Sequence, residues 1–289
     1  MIAGVREIYG IREVLRAVLA AAALATVLLG VSACQQPARP PHVAQPQTPA
    51  PTAAPPSGSG ARVLDVRYEK PSPADRRAAA FLEGRRTVEG AADDLADFLG
   101  WGAREPVALV VKSCDGQGSS YDPEARRIDL CYEEVTETRE LFREGGRRGA
   151  TDDAVHAVQL ETLFHEAAHA LVDALELKLP GNEEDAADQF AALMLLRRGV
   201  PGEHQLRAAA DAWRTSAEVY EETPGDEHAT DGQRAAAQLC YAYGAAAGRD
   251  RESADTRTLP AARAAGCAEE WETVRERWTG ALRTSGVLA

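Results

Sequence analysis

The sequence predicts an α+β domain, a small mixed sheet packed against a larger helical lobe, and three observations carry that expectation. Segments with strand patterning, residues 63–68, 106–111 and 128–132, are all confined to the first half of the domain, whereas from about Asp152 onward the periodic segments are helical. A hydrophobic content of 45% in 289 residues is enough to bury a core. The third observation is the run His165-Glu166-Ala167-Ala168-His169 inside the longest helical pattern, which presents two imidazoles about one turn apart on nearly the same face.

Residues 1–33 stand outside this fold. Arg6, Arg12 and Arg16 precede an apolar run from Ala17 to Val31, and Ser32 and Ala33 follow it, which is the order of a secretory signal peptide. Cys34 stands where the lipobox of a bacterial lipoprotein has its lipidated cysteine. A transmembrane anchor and plain secretion remain as alternatives for the same run. Residues 34–60 are rich in Pro, Ala, Gln, Ser and Gly and cannot offset the entropy of folding, so they read as a disordered tether ahead of a domain over 61–289. The expected location is extracytoplasmic, at the cell envelope, with the membrane reached through a lipid on Cys34.

Val63 to Tyr68 alternates apolar and polar residues, as a half-buried first strand does. Ser72 and Pro73 open helical territory that runs to Trp101, with a break near Gly84. Residues 106–111 are short, apolar and β-branched, hence a buried strand; residues 116–122 form a glycine-rich polar loop; residues 128–132 return to period two. The helix from about Asp152 to Leu177 offers Val155, Val158, Phe164, Leu171, Val172 and Leu175 to a core, and Pro180-Gly181 ends it. Asn182 suits the next N-cap, and Glu183, Glu184 and Asp185 complement the dipole of a helix that reaches about Arg198, before Gly199 and Pro201. Further helices are expected over about 202–222, 230–248 and 268–282.

The formal net charge of −13 repels phosphate backbones and excludes nucleic acid as a partner. Besides Cys34 there are four cysteines, an even number in a chain routed out of the cytosol, and proximity favours the pairs Cys114 with Cys131 and Cys240 with Cys267.

Two histidines need further donors if they are to hold an ion. A catalytic zinc site uses three protein ligands and leaves a position for water, whereas a structural one closes four. Glu184 and Asp188 lie four apart on one face of the following helix, across a short turn. That makes Glu184 the third ligand beside His165 and His169, and Asp188 the acceptor for the second ring N–H of a ligand, His165 first. Zn2+ suits two imidazoles and a carboxylate. Glu166 then stands as the general base of a metal-activated water, and the reaction is peptide-bond hydrolysis.

The HEAAH run followed by Glu184-Asp185-Ala186-Ala187-Asp188 resembles the gluzincin branch of zinc metallopeptidases. Together with Tyr121-Asp122-Pro123, residues 128–133, Asp226-Glu227-His228 and Leu239-Cys240-Tyr241, it is similar to a family of bacterial exported metallopeptidases whose domain is otherwise uncharacterised. The resemblance covers most of residues 61–250 and implies a zincin-like fold, with His165, His169 and Glu184 as ligands and Glu166 as base. Ala168 replaces a glycine common in relatives, a change that favours the helix. The resemblance also implies an edge strand that binds substrate backbone, assigned with the β pattern to residues 128–132. His228 and Arg234 resemble a His-Pro segment with a following arginine in membrane-associated gluzincins, although Ala229 replaces the proline. Either one is an oxyanion donor or part of a surface ion pair. His156 falls half a turn round the helix from His165, and His42 and His204 read as surface residues. The reading from another class is a non-catalytic zinc-bearing binding or sensor module of the envelope. A purely structural zinc is a further one, with His228 as fourth ligand.

Overall fold

Alternating apolar and polar residues make Leu64–Tyr68 a strand, β1. The computed structural model describes residues 62–102, 104–147, 151–221, 225, 227–246 and 259–288. After β1 come α1 (Arg76–Arg85), α2 (Thr87–Phe98), β2 (Val107–Lys112), β3 (Ser120–Asp122) and β4 (Arg127–Cys131). The strands form one mixed sheet in the order β1-β2-β4-β3. β1 and β2 are parallel, as are β2 and β4, while β3 is antiparallel to β4. Parallel neighbours need a long crossover, and α1 and α2 supply it between β1 and β2. The break between these helices falls at Arg86, whose φ of 52° lies in the left-handed region, rather than at Gly84, which lies inside α1.

Two features correct the sequence reading. The loop over 116–122 ends as β3, folded back on β4 by a turn in which Asp122 Oδ1 accepts from the N–H groups of Glu124 and Ala125. β4 is therefore paired on both sides, so residues 128–132 are not the edge. The free edge beside the helices is β3, too short for a period-two pattern to announce. The second feature is α3 (Glu133–Glu144), which follows β4 directly. Its inward face carries Glu134 and Thr138 as well as Val135 and Phe142, and the sequence reading assigns no element to it.

The helical lobe comprises α4 (Asp152–Ala174), α5 (Glu183–Leu196), α6 (Val200–Val219), α7 (Asp231–Ala245), α8 (Ala261–Ala264) and α9 (Cys267–Thr284). Thr151 caps α4 by accepting from Ala154 N–H, and Thr230 and Gln233 form a capping box at the start of α7. α4 is the centre of the molecule: residues 163–168 are all buried, between the β3–β4 side of the sheet and helices α5 and α6. α5 is fixed from behind by Trp278 of α9, whose Nε1 donates to Ala186 O at 2.9 Å and whose ring lies 4.6 Å from that of Phe190. Gly244 lets α7 and α9 approach so closely that a Cβ there would stand 2.2 Å from Cys267 O. The disulfides are Cys114–Cys131 and Cys240–Cys267, as expected. Among the described residues no helix is long and apolar enough to cross a membrane. The expected signal peptide, Cys34, His42 and the tether lie outside the described residues.

Candidate metal centre

Helical periodicity places His165 and His169 on one face of α4, and the turn over 175–182 brings the first turn of α5 against it. Asn182 holds that turn in two ways: its Oδ1 accepts from Glu184 N–H at 2.9 Å, and its Nδ2 donates to Glu227 O at 2.6 Å. The first contact starts α5 and so aims Glu184; the second draws the segment bearing His228 to the same place.

The side chains converge. His165 Nε2 and His169 Nε2 are 3.2 Å apart, and Glu184 Oε2 lies 3.1 Å from the first and 3.4 Å from the second. Each ring turns its other nitrogen to a carboxylate, His165 Nδ1 to Asp188 Oδ1 at 2.8 Å and His169 Nδ1 to Glu183 Oε1 at 2.9 Å. Carboxylates only accept, so both Nδ1 atoms carry protons, and in the neutral imidazoles that a bound cation requires both Nε2 lone pairs would face one point. A tetrahedral ion with nitrogen and oxygen arms of about 2.0–2.2 Å sets its ligand atoms roughly 3.3–3.5 Å apart. The observed separations match that spacing to within a few tenths of an ångström, so the donor set fits a divalent cation.

Electrostatics follow from this crowding. Burial alone would lower the His165 imidazole, but Asp188 and Glu184 outweigh it and raise it to about 10. Glu184 is penalised by burial, yet its hydrogen bonds to His165, His169 and His228 hold its carboxyl well below the usual carboxylate range. The acid is thus ionised whether its positive partner is an imidazolium or a metal.

Asp188 is buried, and Arg234 grips it with Nε to Oδ2 at 2.8 Å and Nη2 to Oδ1 at 2.6 Å. The same guanidinium stacks 3.6 Å from the centre of the Trp213 ring. Arg234 therefore completes a chain from Trp213 through Asp188 to His165, as a buried ion pair rather than the surface one considered from the sequence. His228 Nε2 lies 2.8 Å from Glu184 Oε2, and its ring stacks on His165 with centroids 5.8 Å apart. Glu183, which the sequence suggests only as a dipole-matching residue, orients His169; no periodicity pointed to it. His204 is exposed, as expected, and His156 is half-buried.

Glu166 is buried beside the convergence point and lines a cleft of about 1060 Å3 together with His165, His169, Glu184 and His228. Ser120 and Tyr121 of β3 form part of its wall, and Tyr121 donates its hydroxyl to Asp173 Oδ2 at 2.6 Å, which ties the edge strand to α4.

Residues 68–282 match the protein family described as “Putative metallopeptidase”. The chain belongs to that family. No curated protein matches the chain, and neither does any solved structure. Membership in this metallopeptidase family brings a metal ion as cofactor and a peptide or protein as substrate. Among the described residues two groups have metal-ligand spacing: Cys114, Cys131 and Glu133, whose sulfurs are joined to each other, and His165, His169 and Glu184. The second could hold the metal ion.

Proposed function

We propose that the chain is a zinc peptidase in which His165, His169 and Glu184 hold the ion and Glu166 is the general base. Two imidazoles with a carboxylate suit zinc, and three ligands leave one coordination position free. Zinc bound there would acidify a water and polarise the scissile carbonyl. Glu166 receives the proton released as the carbonyl is attacked and passes it to the leaving amine. Asp188 keeps the proton of His165 on Nδ1, and Glu183 does the same for His169, which leaves each Nε2 free to donate its lone pair. His228, which shares the cleft with Glu166, is a donor to the developing oxyanion. The edge of β3 pairs with the substrate backbone as an added strand and carries it past Glu166. The reading rests above all on the two Nε2 atoms 3.2 Å apart, each with its partner nitrogen turned to a carboxylate.

Glu166→Gln tests it. The variant retains about one zinc per chain by metal analysis and no longer cleaves a peptide library that the parent cleaves; undiminished cleavage would exclude Glu166 as the base. We also propose that a lipid on Cys34 holds the enzyme at a membrane surface outside the cytosol, a compartment in which two disulfides are at home. Cys34→Ser should abolish labelling by a radioactive fatty acid and release the protein from the membrane fraction.

A further inference from the structure

A second, smaller cavity of about 100 Å3 shares His165, Glu166 and His228 with the main cleft. Leu141, Val158, Ala212 and Trp213 give it apolar walls. Two buried carboxyls also line it, Glu134 of α3 and Glu161 of α4, 7% and 1% exposed. Glu134 Oε1 accepts from Ser119 N–H at 2.6 Å, and Glu161 Oε1 accepts from Gln238 Nε2 at 2.7 Å and from Trp213 Nε1 at 3.4 Å. None of these donors is a cation. Arg234, the one guanidinium on the wall among the described residues, lies near enough to Glu161 to act on it but is bound through two of its nitrogens to Asp188. Gln159, which is fully buried and lines the same cavity, has neither Oε1 nor Nε2 hydrogen-bonded. Buried polar groups are almost always satisfied, so a space that gathers two desolvated acids and an unpaired amide is short of a ligand.

We propose that this cavity is the specificity pocket of the peptidase and takes the side chain of a lysine or arginine next to the scissile bond, with Glu134 and Glu161 receiving its charged tip. The inference rests on the peptidase reading above. A long aliphatic stem matches the apolar walls, and a cationic tip would favour the ionised form of two carboxyls that burial pushes up, Glu134 to about 8 and Glu161 despite the nearby charges of Arg234 and His165. Gln159 Oε1 adds a neutral acceptor for the same tip. The main cleft points the same way: among the described residues Asp173, Glu176, Glu183 and Glu227 line it against the single Lys178, which draws basic segments toward the site.

The test uses the full zinc-loaded chain. A peptide library with every residue varied on both sides of the cut should show lysine and arginine enriched at one position flanking the scissile bond. Glu134→Gln keeps an acceptor for Ser119 and removes the group that can ionise when a cation enters. In that variant the ratio of kcat/KM for an arginine peptide to that for its norleucine counterpart should fall about 10- to 100-fold, the loss expected for one charge-assisted contact. A flat library profile, or a variant that slows both peptides in the same proportion, overturns the proposal. If no peptide is cleaved, calorimetry decides it separately: arginine amide should bind the parent chain better than norleucine amide and lose that advantage in Glu134→Gln. Equal binding of the two amides overturns the pocket assignment, whatever becomes of the peptidase reading.

Discussion

His165 spends one ring nitrogen on Asp188 and turns the other to the convergence point, so its aim depends on a residue that no ligand count would include. Replacing Asp188 by asparagine removes the charge that faces Arg234 while keeping the side chain's shape. Zinc affinity should fall by about 10- to 100-fold in a competition titration. The fold should lose about 3–5 kcal/mol in denaturant unfolding, since a buried guanidinium is left without its anion. The other half-buried histidine of α4 responds to pH. Burial, followed by the charges of Arg85 and Arg198, lowers His156 to about 4. The folded value lies below the unfolded one of about 6.5, so the neutral ring favours folding above that pH and the benefit is lost as pH falls toward 4. In His156→Gln the acid-side loss of thermal stability between those values should be shallower than in the parent; parallel curves would remove His156 as a cause. The ligands were legible in the sequence because a helix fixes what lies one turn away, and Asp188 was legible for the same reason. Glu183 and Glu134 were not, because what each touches, His169 in one case and Ser119 in the other, is decided by tertiary packing and by no period along the chain.

The helices of the lobe are held at distances that particular residues permit. Gly244→Ala sets a methyl group 2.2 Å from a backbone oxygen of α9, which has no rotamer by which to retreat. A loss of about 1–3 kcal/mol by thermal unfolding is expected, with α9 and the Trp278 contact to α5 displaced together. The Cys114–Cys131 bridge spans 17 residues and encloses β3. Replacing both cysteines by serine should cost about 3 kcal/mol by the loop-entropy argument and should raise KM more than it lowers kcat, because it frees the substrate-binding edge and leaves the ligands in α4 and α5. This part of the sheet is where the sequence was least informative. Residues 128–132 have a sound strand pattern, but a pattern does not say whether a strand has one neighbour or two. The three residues that form the real edge follow a glycine-rich loop that conceals them. α3 was missed although Val135, Thr138 and Phe142 recur at helical spacing and Val135 joins the core; beside them its buried side holds Glu134, whose partner is a loop.

For the molecule as a whole, the metal centre joins two helices that are separated in sequence only by residues 175–182. An ion that binds the folded chain alone adds stability by mass action, about 2.7 kcal/mol at a free concentration 100 times Kd. Chelation should therefore lower the melting temperature, zinc should restore it, and Glu184→Gln should be insensitive to both; a melting point indifferent to chelator would sever the metal from the fold. The main cleft is bounded on one side by an edge strand of three residues, Ser120 to Asp122. So short a rail provides only a few backbone rungs and discourages molecules from zipping together along it. A polypeptide must then be gripped mainly through its protruding groups, and a tightly folded client has few extended stretches to lay against so brief a ledge. On the proposed peptidase reading, unfolded stretches of polypeptide would fit such an opening better than folded ones.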